Sequence, residues 1–110
     1  MDPQSSFDVV HLSGELDIGR RAELVAALNA ARGRPAVLVD FSTVTYADST
    51  VIAELLRFRN EANAKGRRVA LLSGNPQFAR LLEFAGLAHA FALFDDRGAA
   101  LTYLAGTFSP

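Results

Sequence analysis

The chain alternates between two hydrophobic periods. Runs of strand length that are rich in apolar residues occur at residues 36–41, 68–72 and 91–94, and residues 7–12 are rich in aromatic and β-branched residues with rough alternation. Between and after these runs, apolar residues recur every three or four positions, which is typical of amphipathic helices. We therefore predict a helix over residues 20–31, a second that opens at 48–50 and ends at 63–66, a third from Pro76 that stops at Gly86, and a last one capped by Asp95 or Asp96.

Alternating strands and helices predict an α/β domain, in which about four helices pack on a mainly parallel sheet. The connections are expected to be short, with a turn at residues 13–15 after the first strand and a loop after residue 41. The run at 36–41 is apolar almost throughout, as in central strands covered on both faces. In such sheets ligands gather at the carboxyl ends of the strands, where residues 48–50 and 73–76 are expected to lie.

Size and composition narrow the class of protein. The 110 residues are half hydrophobic and contain no cysteine, which fits one domain with its own core and excludes disulfides and thiolate sites. We predict a flexible N-terminus at 1–6, the domain at 7–105 and a C-terminal tail at 106–110. No run is apolar for long enough to span a membrane, and no signal-peptide pattern is visible. We therefore expect a soluble, cytoplasmic protein without direct membrane insertion.

The charges give no electrostatic reason to expect a nucleic-acid partner. The formal net charge is −1, whereas a nucleic-acid interface calls for a basic face. All the basic residues except Lys65 are arginines, and they are scattered along the sequence. We expect most of these arginines to lie on the surface.

Few residues fit an active site. His11 lies inside a predicted strand and His89 in a loop, and neither has a catalytic motif around it. The chain lacks the P-loop, the glycine pattern of dinucleotide-binding folds and the zinc-protease helix motif. We therefore expect no enzymatic activity, no cofactor and no metal. Direct nucleotide binding by the loops at 48–50 and 73–76 is a weaker alternative, without a phosphate motif behind it.

An acid and two hydroxyls fall where the second helix begins. Asp48, Ser49 and Thr50 are all good N-cap residues, so one interpretation is a helix cap. The other is a hydroxyl displayed for phosphorylation or partner contact at the positive end of the helix dipole. These residues alone leave both interpretations open.

Several motifs, taken in order, resemble a known family. They are Leu12-Ser13-Gly14-Glu15-Leu16-Asp17, Val37-Leu38-Val39-Asp40-Phe41 leading to Asp48-Ser49-Thr50, Leu81-Leu82-Glu83-Phe84-Ala85-Gly86-Leu87, and Phe94-Asp95 before the last helix. In this order and spacing the chain is similar to a STAS domain, and more narrowly to the bacterial anti-sigma factor antagonists. The resemblance covers about residues 7–104.

The resemblance implies a binding domain switched by phosphorylation. In that family a hydroxyl second after the aspartate is phosphorylated by a partner anti-sigma factor, an ATP-dependent serine/threonine kinase. The unphosphorylated form binds this kinase, and a metal-dependent serine phosphatase restores it. Carried over, the phospho-acceptor is Thr50, with Ser49 beside it, and the partner-binding residues are Asp17, Asp48, Ser49, Thr50 and Val51. The oligomeric state does not follow from the resemblance.

The chain departs from the family pattern at the helix start. The family usually has Asp-Ser-Ser-Gly, whereas Thr50 and Val51 stand here in the last two places. The missing glycine favours an alternative function as a constitutive STAS structural subunit. Such a subunit would serve an ABC-type lipid transport complex or a signalling assembly.

Overall fold

Four strands and four α-helices alternate along the described part of the chain, as the hydrophobic pattern predicts. The computed structural model describes residues 7–31 and 34–105, so the predicted termini at 1–6 and 106–110 lie outside it. The strands are β1 (Phe7–Leu16), β2 (Ala36–Ala47), β3 (Arg68–Leu72) and β4 (Ala92–Phe94). The helices are α1 (Arg21–Ala30), α2 (Ser49–Ala64), α3 (Pro76–Phe84) and α4 (Arg97–Ala105), with a short 3₁₀ helix at Ile18–Arg20 before α1.

The strand order places three helices on one face of the sheet. The strands pair in parallel in the order β1-β2-β3-β4, so each crossover moves to the next strand in the same direction. Because such crossovers are right-handed, successive helices then fall on the same face. The buried residues of α1, α2 and α3 indeed share one core cluster, whereas Ala100 and Leu104 of α4 belong to a second cluster on the opposite face.

The central strand contributes to both clusters. Val37 and Val39 of β2 face the three-helix side, and Leu38 between them faces α4. All three side chains are fully buried. This two-sided burial explains the continuous apolar run that predicted a central strand.

The two longest strands extend well beyond the predicted ends, and both connections predicted there were wrong. The turn expected at 13–15 is part of β1, and the loop expected after residue 41 is the second half of β2. β3 pairs with β2 only as far as Asp40, so beyond that point β1 and β2 form a two-stranded ribbon. We call residues 12–16 and 41–47 the ribbon.

Two irregularities in register shape the ribbon. They fall between His11 and Ser13 and between Gly14 and Glu15, and each adds one residue to β2 relative to β1. Such bulges bend a strand and increase its twist. Gly14 has a φ of 76°, a conformation that glycine adopts without strain. The polar, glycine-containing sequence that suggested a turn therefore encodes an irregular strand.

One arginine, Arg67, has a structural role. The side chain of Arg67 is only 12% exposed and donates to the carbonyls of Arg34 and Ala31, each at 2.7 Å. Ala31 is the C-cap of α1, so Arg67 satisfies one of the carbonyls left free at a helix end. Arg67 is thus an exception to the expected surface position of most arginines.

A buried glutamate joins the first two helices. Glu54 of α2 is 7% exposed and binds Arg21 of α1, with Nε at 2.8 Å, and Arg57 on its own helix, with a guanidinium nitrogen at 2.5 Å. The hydrogen bond from Arg57 lowers the pKa of Glu54, burial opposes that change, and the bond and charge of Arg21 lower it further. The ion pairs therefore keep this carboxylate charged between the helices.

Candidate partner-binding rim

Asp48 is the N-cap of α2. Its backbone is extended, and its Oδ1 accepts a hydrogen bond from the Val51 amide at 3.1 Å. Its own amide donates to the carbonyl of Leu16 at 3.3 Å, which ties the helix start to the end of β1. The cap interpretation is therefore correct for Asp48, and it positions the two hydroxyls that follow.

Ser49 and Thr50 present their hydroxyls on the first turn of α2. Ser49 is exposed and Thr50 is partly buried. Within the described ranges neither hydroxyl has a hydrogen-bond partner. Free backbone N–H groups and the positive end of the helix dipole lie at this same turn. Both hydroxyls thus lie at a place that tolerates negative charge.

Val51 belongs to the core. It is 1% exposed and packs in the three-helix cluster. Its side chain therefore offers no surface to a partner, which argues against the binding role predicted for Val51 from the resemblance. The valine anchors the first turn of α2 against the sheet, where a glycine would contribute no packing.

Asp17 lies next to this helix start. Its Oδ1 accepts a hydrogen bond from the Gly19 amide at 2.9 Å and so caps the 3₁₀ helix. Leu16 pairs with Ala47 at the end of the ribbon, and Asp17 and Asp48 follow these two residues directly. The ribbon therefore brings Asp17 and residues 48–50 together, although they are far apart in sequence. We call Asp17, Asp48, Ser49 and Thr50 the rim.

Arg20 stabilises the end of β1, which leads directly into Asp17. One guanidinium nitrogen donates to the carbonyl of Ser13 at 2.7 Å and to that of Glu15 at 3.1 Å. The other side of the guanidinium forms a paired contact with Glu23. The hydrogen bond with Glu23 raises the pKa of Arg20 and lowers that of Glu23. The charged guanidinium group of Arg20 thus stabilises the irregular end of β1.

A groove of about 430 Å³ opens beside the rim. It lies between the end of β2, the start of α2 and the start of α3, on the side of β2 where the pairing with β3 has ended. At its base the rings of Phe41 and Phe78 pack with their centroids 5.3 Å apart. Its described lining consists of Phe41, Val44, Thr45, Tyr46, Ala47, Asp48, Ser49, Ser73, Asn75, Gln77, Phe78 and Leu81.

Sequence reasoning missed most of this groove. It placed residues 48–50 and 73–76 at the same edge of the sheet, and that placement is correct. It left Tyr46 in a loop, whereas Tyr46 lies in β2, pairs with Glu15 and is 53% exposed. The β-branched residues Thr43, Val44 and Thr45 just before this tyrosine were the signal for a strand.

A second polar cluster lies on the other face of the sheet. Asp40 is 7% exposed and binds the hydroxyl and amide of Ser42, the imidazole of His11 at 3.4 Å and Arg97 at 3.5 Å. Burial would raise the pKa of Asp40, but the hydrogen bonds from Ser42 and His11 lower it overall. These contacts link β1, β2 and α4. In the described part of the chain, no group of three or more acidic or histidine side chains converges as metal ligands would.

Membrane insertion finds no support in the helices. Over residues 7–31 and 34–105, no helix is both long and apolar enough to cross a membrane.

Comparison with known proteins identifies the family. The profile of the family described as "Mlab, STAS domain" matches residues 2–95. No curated protein sequence shows significant similarity to the chain.

Solved structures share the fold. An anti-sigma factor antagonist from Mycobacterium paratuberculosis superposes with a TM-score of 0.80 at 28% identity, over 87% of this chain and 83% of that one. A sulfate transporter family protein from Wolinella succinogenes gives 0.75 at 19% identity, over 88% and 83%. The anti-sigma factor antagonist SpoIIAA in its unphosphorylated form gives 0.63 at 24% identity, over 83% and 82%. The chain belongs to the STAS domain family.

Proposed function

We propose that this protein is an anti-sigma factor antagonist that binds a kinase-type anti-sigma factor through the rim. The observation that carries the proposal is the pair of unpartnered hydroxyls, Ser49 and Thr50, on the first turn of the capped helix α2. The similarity to the Mycobacterium antagonist, at 28% identity over most of both chains, supports it. The domain itself acts by binding and carries out no reaction, and its working place is the cytoplasm.

The switch is phosphorylation of Thr50 or Ser49. A phosphate adds close to two negative charges and three acceptor oxygens. At a helix N-terminus each charge is stabilised by about 0.3–1 kcal/mol, so the domain keeps its fold. The charge instead opposes binding across the interface, where a surface fitted to a neutral hydroxyl now meets a hydrated dianion. A metal-dependent serine phosphatase would return the domain to its binding form.

The direct test uses the kinase-type anti-sigma factors of the source organism. Each is incubated with the full chain and ATP, and the modified residue is mapped by mass spectrometry. We expect phosphate on Thr50 or Ser49, its loss in the Thr50→Ala, Ser49→Ala double variant, and its retention in Thr102→Ala. Thr102 is an exposed threonine on α4, so Thr102→Ala shows whether removing a threonine hydroxyl elsewhere on the surface also lowers phosphorylation. Absence of phosphate on both rim hydroxyls with every kinase would exclude the switch.

A binding measurement complements the mapping. Thr50→Glu places a charge on the first turn of α2 without enlarging the core. We expect it to weaken kinase binding while its thermal unfolding stays close to that of the wild type. Unchanged affinity would contradict the proposed release mechanism.

A second candidate function is a constitutive subunit of an ABC-type lipid transport complex. Two observations favour it: the matching family is described as "Mlab, STAS domain", and Val51 fills the core where the antagonists usually have glycine. Purification from the native cell discriminates the two functions. An ABC ATPase recovered in constant stoichiometry, unaffected by Thr50→Ala, would replace the first proposal.

A further inference from the structure

The groove beside the rim has the composition of a protein-docking site. Most of its buried lining residues are aromatic or aliphatic, such as Phe41, Val44 and Phe78, and its exposed lining residues include Thr45, Ser49 and Gln77. Among its described lining residues Asp48 is the one charged group. Pockets that are mainly apolar with a few polar groups at the edge are typical binding sites.

The charges around the groove restrict what can enter. No basic residue is among its described lining, so a phosphate or carboxylate would meet the Asp48 carboxylate without a counter-ion. A buried charge without a partner is costly. An anion is therefore disfavoured, and the mainly apolar lining favours an apolar group.

The size and position of the groove point to a side chain from a partner protein. A cavity of about 150 Å³ already binds a benzene ring, so a groove of about 430 Å³ has room for a large side chain and part of its flanking segment. The groove is open along one side and continuous with the rim through Asp48 and Ser49. A protein that binds the rim therefore covers the groove at the same time.

Two exposed apolar residues, Tyr46 and Ile18, lie at the same end of the molecule as the groove. Among the described residues the large hydrophobic side chains that are exposed are Val9, Ile18, Tyr46 and Phe84. Tyr46 lines the groove, and Ile18 directly follows Asp17 of the rim. Aromatic residues at such positions commonly carry much of the binding energy of an interface.

We propose that the groove receives a large aromatic or aliphatic side chain of the anti-sigma factor, with Tyr46 as the main contact on this chain. The inference rests on the proposed function and names the part of the surface that anchors the partner. It also assigns different effects to phosphorylation of the two hydroxyls, because Ser49 lines the groove and Thr50 does not. A phosphate on Ser49 would stand at the groove mouth and obstruct the incoming side chain, whereas one on Thr50 would act at the rim.

The test measures the affinity of the kinase-type anti-sigma factor for four variants of the full chain. Tyr46→Ala removes the contact, and Thr45→Trp fills the groove from an exposed position. Their controls are Phe84→Ala, which removes a side chain 89% exposed at the end of α3, and Thr102→Trp on α4. We expect the two groove variants to weaken binding by about tenfold or more and the controls to change it less than twofold.

Each other outcome overturns the inference in a distinguishable way. If Thr50→Glu weakens binding but both groove variants bind like the wild type, the docking site is wrong and the proposed function stands. If the controls weaken binding as much as the groove variants, the effect is not specific to the groove. If the wild type dimerises and Tyr46→Ala abolishes only the dimer, a second copy occupies the groove. If no anti-sigma factor binds the wild type, the proposed function and the docking site fail together.

Discussion

Replacing Asp48 separates its structural role from a role in partner binding. Its Oδ1 accepts the Val51 amide at 3.1 Å, so Asp48→Ala leaves a helix N–H without its cap. Losing an aspartate N-cap costs about 1 kcal/mol, which corresponds to a fall in melting temperature of about 4 °C in a domain of this size. Asp48→Asn keeps a cap acceptor and removes the charge. We expect its stability to stay within about 0.5 kcal/mol of the wild type.

The measurements are urea unfolding followed by circular dichroism and kinase affinity at a temperature where every variant is folded. Asp96→Ala is the matched control, because Asp96 Oδ2 caps α4 through the Ala99 amide at 2.8 Å on the opposite face of the sheet. We expect Asp96→Ala to lose about as much stability as Asp48→Ala and to bind the kinase with the affinity of the wild type. If Asp48→Asn also keeps full affinity, Asp48 is only a cap. If Asp48→Ala unfolds like the wild type, the energetic argument for the cap is refuted.

The remaining predictions concern stability. Gly14→Ala should lower the free energy of unfolding by about 1–2 kcal/mol because Gly14 has a positive φ. Gly74→Ala should change it little, because Gly74 has open space around it. Equal effects of the two substitutions would contradict this explanation. Glu54→Gln should lower the free energy of unfolding at neutral pH. The difference from the wild type should shrink as the pH falls below the ordinary glutamate pKa of 4.5, because the pKa of Glu54 is lowered in the folded state. A deficit independent of pH would contradict the ion-pair explanation. Arg67→Ala should lower the free energy of unfolding by about 2 kcal/mol through two lost hydrogen bonds to carbonyls. The control Arg80→Ala, at an exposed residue of α3, should cost less than about 0.5 kcal/mol.

The sequence by itself determined the features that depend on neighbouring residues. A helix start is set by one side chain and an amide two or three residues later. Asp48, which bonds Val51, and Asp96, which bonds Ala99, were therefore among the predicted cap candidates, and Asn75 caps α3 by the same rule through Gln77. The buried strands could also be predicted, because their apolar runs have the length of strands and are too short for helices.

Only the tertiary structure decided how the rim and groove are assembled. The ribbon depends on pairs such as Leu16 with Ala47, and no local pattern shows that a polar, glycine-containing segment will find a partner strand that distant. The same holds for Glu54, whose burial is tolerated because Arg21 reaches it from another helix. Side chains far apart in sequence meet only when register, bulges and helix packing are set together. The helix start at 48–50 was therefore visible in the sequence, and the groove beside it was not.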